Sequence, residues 1–211
     1  MTFEALPLPW QRIFTLEWQS LCEGSRAIAA VITDADGRIL SEGRNRCAAS
    51  TLPNPRTAHA ESEAVISLDI AKYPDLSDYT LHTGLEPCVM CMGTLVMGGI
   101  RRVEIGAQDD FGGAMGLLGA MEFLRHKQIH VTWADPMYGE MQRAFQTVRE
   151  LVCGQDPQRL SRILADFCVH NRCGTMAAQA LVREEALTLD ALSRDSAQGL
   201  FDRLAQRMAA L

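Results

Sequence analysis

The 211 residues carry a formal net charge of −6, with 47% apolar and 22% charged side chains. That is the balance of a soluble globular chain, not of a disordered or fibrous one. No run approaches the roughly 18 apolar residues of a membrane span, and Met1 to Trp10 lacks the basic-then-apolar order of a secretory signal.

Leu8, Ile13, Phe14, Leu16, Leu21 and Cys22 recur among polar residues and predict a first helix over 8–23. Ala27 to Thr33 is an apolar run that ends in Asp34-Ala35-Asp36-Gly37. With Arg38 to Gly43 it reads as a β-hairpin. Asn45 to Thr57 is a loop broken by Pro53, Asn54 and Pro55. Thr57 is the expected cap of a helix that runs from Ala58 to about Lys72. Tyr79 to Gly84 is a strand, Pro87 opens the next helix, and Gly98-Gly99 closes it. Strands follow over 102–107 and 129–133, separated by a Gly-rich segment from Asp109 to Gly119. A helix then spans Met137 to Val152. Helices alternating with these five strands imply a mixed sheet covered on its faces.

Gly154-Gln155-Asp156-Pro157 marks a boundary, which divides the chain into a body (1–154) and a helical C-terminal extension (155–211). The extension reads as three short helices broken near 171–174 and 193–198. It is either a packed cap or a small partner-binding bundle. The body holds 13 basic and 19 acidic residues, the extension seven of each. An acidic body is a poor general magnet for phosphate backbones. Arg38, Arg44, Arg46 and Arg56 form the one candidate basic strip, and the plainer reading makes them solvated loop and strand-edge arginines.

Two short motifs carry the chemistry: His59-Ala60-Glu61, and Pro87-Cys88-Val89-Met90-Cys91 with 28 residues between His59 and Cys88. Cys88 and Cys91 are three apart at a helix start, where unpaired N–H groups favour the thiolates a metal needs. His59 and Glu61 start the preceding helix and converge on a ligand approached end-on. One imidazole and two thiolates leave the fourth tetrahedral position of a Zn2+ to water, which is the pattern of a catalytic site rather than a structural one. Zinc brings the pKa of that water toward about 7. Glu61 is the catalytic proton shuttle, taking the water proton and handing it to a departing amine. A lone C-x-x-C or a lone H-A-E is a weak signal, whereas H-x-E followed by P-C-x-x-C is the signature of zinc deaminases. A closed structural zinc or a redox dithiol is the competing reading. His82, the nearest spare ligand, is expected at the surface or core edge. Cys22, Cys47, Cys153, Cys168 and Cys173 read as small apolar residues. Seven cysteines, an odd count, do not suggest a disulfide framework, and reduced thiols fit a cytoplasmic setting.

Glu42-Gly43-Arg44-Asn45-Arg46, Pro55 to Glu61, Leu85 to Gly93, Ile100 to Val103 and Gly106 to Asp109 together resemble the cytidine deaminase-like superfamily. The likeness covers about residues 10–135 and is nearest to its tRNA-specific adenosine deaminases and guanine deaminases. It implies a three-layer α/β/α sandwich with a mixed five-stranded sheet, a zinc held by His59, Cys88 and Cys91, Glu61 as the proton-transfer residue, and a homodimer. It also implies substrate contacts from Asn45, from Glu86 and Pro87 through the backbone leading to Cys88, and from Asp109 at the rim. The chain departs from the family at Gly84, where Thr or Ser is common, at Ala29, at Asp110-Phe111, and in lacking a basic C-terminal helix. An exposed loop Phe such as Phe111 either stacks on a base or docks on its own domain, the second being the general rule. The first functional reading is hydrolytic deamination of a free nucleobase or nucleoside, with a purine favoured. The second is adenosine-to-inosine deamination in a tRNA anticodon loop. A third, of another class, is a non-catalytic zinc-bearing subunit or interaction module.

Overall fold

Apolar residues at helical spacing draw Leu8–Cys22 into α1, which buries Trp10, Ile13, Phe14, Leu16 and Leu21. The structure is a computed structural model and describes residues 1–154 and 156–211. Gln155, in the boundary read from the sequence, lies outside the described residues. β1 (Ala29–Thr33) and β2 (Ile39–Arg44) form the expected antiparallel hairpin, closed by Asp34, whose carboxylate accepts from the Asp36 and Arg38 N–H groups. β1 also pairs antiparallel with β3 (Thr80–Leu85). β3, β4 (Arg102–Ala107) and β5 (His130–Trp133) run parallel, giving one mixed five-stranded sheet in the order β2-β1-β3-β4-β5.

Alternation along the strands feeds two cores. Ala29 and Val31 face α1 and α5 (Pro136–Cys153). Ala30 and Ile32, with Leu81, Val103 and Ile105, face α2 (Ala60–Ile66) and α3 (Val89–Met97). The result is the expected three-layer α/β/α sandwich. Helices α6 (Pro157–His170), α7 (Arg172–Glu185), α8 (Leu189–Ser193) and α9 (Ala197–Met208) extend the α1/α5 layer outward. Leu181, Leu192, Leu200, Phe201 and Leu204 join Phe14 and Phe145 in a single core, and Phe201 meets Phe14 edge-on at 5.1 Å. Each such side chain contributes about 1.5–3 kcal/mol by leaving water. α7 lies so close to α5 that a Cβ at Gly174 would overlap the Glu140 carbonyl oxygen.

Several local expectations need correction. α2 ends at Ile66, well short of Lys72, because the Asp69 side chain takes the Ala71 and Lys72 N–H groups in a turn. Thr57 does not cap it. Thr57 sits in a 3-10 turn behind Pro55, its hydroxyl donating to the Asn54 carbonyl, and His59 occupies the N-cap. Pro87 precedes the N-cap of α3 rather than opening the helix, and the cap is Cys88. A short α4 (Glu122–His126) precedes β5. Among its described residues the extension has four helices, since left-handed Ala186 and the cap Thr188 set off α8.

Gly84 has a structural reason. A Cβ there would overlap Oε1 of Glu17, a fully buried carboxyl on α1 whose two oxygens have no hydrogen-bond partner among the described residues. Gln142 Oε1 is equally unpartnered, and its side chain borders the same glycine. Burial holds the Glu17 pKa well above the ordinary carboxylate value. The folded chain therefore keeps a proton that the unfolded chain gives up. The cost of this group is absent below the unfolded pKa, and it grows by about 1.4 kcal/mol per pH unit between the unfolded and folded pKa values. Glu17→Gln removes that term. Its melting temperature is expected to exceed wild type at pH 8 and to converge on it at pH 4. A gap independent of pH would contradict the buried proton.

Candidate metal centre and active site

Two helix starts build the site. His59, in extended conformation, is the N-cap of α2, and Cys88, also extended, is the N-cap of α3. Neither side chain makes a cap hydrogen bond to its own helix. Cys91 lies in the first turn of α3, fully buried. His59 Nδ1 is 3.5 Å from both sulfurs, and the sulfurs are 3.6 Å apart. A tetrahedral zinc, with sulfur at about 2.3 Å and nitrogen at about 2.0 Å, sets S–N and S–S edges of roughly 3.5 and 3.8 Å. The three side chains fit that ion, and among the described residues they are the only group of His, Cys, Asp or Glu clustered for a metal.

Glu61 is in the first turn of α2, buried, with Oε2 3.4 Å from Cys91 Sγ. Burial pushes its carboxyl up to about 7, partly offset by its own backbone N–H. The Cys91 thiol and then His59 bring the Cys88 pKa down to about 3. The bond to Cys88, with burial, holds Cys91 up, and Cys88 also raises His59. Sequence reasoning missed Ser62. Its hydroxyl lies 3.4 Å from Cys91 Sγ and 3.3 Å from Thr94 Oγ1, supporting the buried sulfur from behind. Only the i, i+29 placement across two helices reveals it.

Asn45 is buried where β2 ends. Its Oδ1 accepts from the Cys47 N–H, and its amide nitrogen makes no hydrogen bond among the described residues. The next residue, Arg46, donates its N–H to the Ala58 carbonyl, which ties this loop to the residue before His59. Glu86 directs its carboxylate away from a ligand role, accepting from the Asp109 and Met115 N–H groups. Pro87 accepts the Ala114 N–H at its carbonyl, and Cys88 bridges Gly113. Asp109 Oδ1 caps Phe111 and Gly112. Glu86 and Asp109 thus come together with Pro87 to Cys91, the metal strap that carries two of the three clustered ligands, but the two carboxylates are spent on the 109–115 loop. Phe111, expected to dock on its own domain, is instead 95% exposed at the tip of that loop.

The candidate basic strip is largely neutralised. Arg38 pairs with Asp34, Arg44 grips Glu23 with both terminal nitrogens, and Arg46 pairs with Glu63. Arg56 alone of the four makes no ion pair among the described residues. His82 is half-buried between Thr33 and Glu104, outside the metal group. All seven cysteines are unpaired, and none beyond Cys88 and Cys91 joins the cluster.

Residues 11–107 match the family described as the cytidine and deoxycytidylate deaminase zinc-binding region. A probable cytosine deaminase of Schizosaccharomyces pombe is 33% identical over 92 residues, 44% of this chain and 54% of that protein. A tRNA-specific adenosine deaminase of Haemophilus influenzae is 37% identical over 95 residues, 44% of this chain and 53% of that protein. The chain therefore spans about half the length of these curated relatives. The structure of guanine deaminase from Nitrosomonas europaea covers 69% of this chain and 86% of its own, at 23% identity and a TM-score of 0.53, a likeness of fold.

Proposed function

We propose that this chain, whose residues 11–107 carry the zinc-binding region of cytidine and deoxycytidylate deaminases, hydrolytically deaminates a free nucleobase or nucleoside, a purine in preference to a pyrimidine. One observation carries the reading: a buried carboxyl, Glu61, touches a three-ligand set whose edges match tetrahedral zinc. Zinc, when bound by His59, Cys88 and Cys91, supplies a Lewis acid that makes water a nucleophile near neutral pH. Glu61 accepts the proton of the attacking water at Oε2 and returns it to the leaving amine. A buried carboxyl beside the ligand set is placed for both transfers. The unengaged amide nitrogen of Asn45 offers a donor to the base or ribose. The backbone from Glu86 to Cys88 borders the amino group, and Asp109 shapes the rim through its loop.

The paired arginines support a small substrate over RNA, because phosphate contacts supply much of an RNA's affinity. The second reading, deamination of adenosine in a tRNA anticodon loop, draws on exposed Phe111, unpaired Arg56 and the Haemophilus relative. Zinc-loaded protein offered guanine, guanosine, adenosine, cytosine and transfer RNA separates the readings by ammonia release and by inosine in the RNA. Turnover of a free purine is expected. Inosine in RNA without any free-base turnover establishes the second reading, and no turnover of any substrate overturns both in favour of a non-catalytic module.

The unpaired cysteines support a reducing, cytoplasmic setting, and no helix among the described residues is long and apolar enough to cross a membrane. Ile66 on α2, with Val89 and Met97 on α3, exposes large apolar surface, which supports a homodimer. Sedimentation equilibrium is expected to give twice the 23.3 kDa chain mass; a single chain mass at every concentration would contradict it.

A further inference from the structure

The C-terminal helices reach the metal strap through one buried cation. Arg143 on α5 is 3% exposed, and its guanidinium donates from Nη2 to the Gln108 carbonyl at 2.6 Å and from Nη1 to Gln146 Oε1 at 2.6 Å. It lies 3.8 Å from Asp109 Oδ1, and its other face carries the Phe167 ring of α6, 4.4 Å from guanidinium carbon to ring centroid. A second tie runs alongside: His170, the last residue of α6, meets Asp110 Oδ2 at 2.7 Å, and Gln108 holds the other oxygen of Asp110. From Asp109 the connection continues inward. Glu86 takes the Asp109 and Met115 N–H groups, Ala114 donates to the Pro87 carbonyl, and Gly113 bridges Cys88. Neither Arg143 nor α6 lies within residues 11–107.

We propose that Arg143 is a positioning residue for the metal site, through which α6 of the C-terminal extension holds the 108–115 loop against Pro87 and Cys88. The proposal gives the extension a role in the chemistry and rests on the zinc-site reading, though not on which base is deaminated. The exposed ends of the contact, Asp110 and His170, are about 40% accessible and add little on their own. The buried guanidinium carries the coupling because a planar fork satisfies the Gln108 carbonyl and Gln146 at once, and a lysine ammonium cannot reproduce that geometry.

Two variants test it: Arg143→Lys, and the pair Phe167→Ala/His170→Ala on α6, which changes no residue of α5. Hydrogen exchange at the amides of Phe111 to Ala114 is read as a ratio to the amides of β1. Affinity for cobalt(II) alone is read by chelator competition and by the thiolate-to-cobalt absorption band. In both variants the loop-to-β1 exchange ratio is expected to rise about tenfold, and cobalt(II) affinity to fall about tenfold with a shifted band, as loss of outer support for metal ligands produces. An unchanged ratio, including uniform acceleration of loop and β1 together, overturns the proposal, and so does unchanged cobalt(II) affinity. Neither readout requires turnover, so a protein that deaminates nothing still decides the matter.

Discussion

Glu61→Gln is expected to keep its zinc and lose its turnover, with kcat lower by about 10²- to 10⁴-fold, the usual contribution of a positioned proton-transfer group. The amide has nearly the shape of the carboxyl and fills the same buried place beside Cys91. It cannot take a proton from water, and among the described residues the cluster of His59, Cys88 and Cys91 holds no carboxyl to substitute for it. Metal content and ammonia release are measured on the same sample. An amide variant with full zinc and near wild-type turnover would remove Glu61 from the chemistry. One that loses its zinc would make the carboxyl a ligand instead.

Cys91→Ala has the largest expected effect on the metal. Cys91 is fully buried, sits 3.5 Å from His59 and 3.6 Å from Cys88, and is supported by the Ser62 hydroxyl. Structural zinc sites bind with about 10–16 kcal/mol over four ligands, so the loss of one thiolate costs roughly 2.5–4 kcal/mol, about 70- to 900-fold in affinity. Chelation is expected to lower the melting temperature of the wild type, because metal binding to the folded state alone stabilises it. The alanine variant has little zinc to lose, and its melting temperature should not respond. A variant that still holds one zinc per chain after dialysis against chelator would show that the sulfur is dispensable.

The reach of the sequence follows from the range of the interactions. The β1–β2 hairpin was legible because Asp34 and Gly37 punctuate two apolar runs. α5 was legible as a helix over Met137 to Val152, and the structure starts it one residue earlier at Pro136, behind the cap Asp135. The metal ligands were legible because each stands at or within a turn of a helix start, in a fixed local spacing. The early end of α2 was missed because the apolar pattern continues through Leu68 and Ile70, while the turn made by Asp69 decides the matter. Departures from the family pattern were visible, but their causes were not. Gly84 makes sense only beside Glu17, 67 positions away on another helix, and the arginine strip loses its basic character only once Glu23, Glu63 and Asp34 are placed next to it. The connection of α6 to the 108–115 loop, directly through His170 and by way of Arg143 through Phe167, has no local signature at all.

Zinc-edge X-ray absorption on the purified protein tests the centre of this account most directly. The side chains of His59, Cys88 and Cys91 predict one zinc per chain with two sulfurs at about 2.3 Å and two lighter atoms near 2.0 Å, one of them nitrogen. A shell without sulfur, a fourth protein ligand closing the site, or protein that takes up no zinc would contradict it.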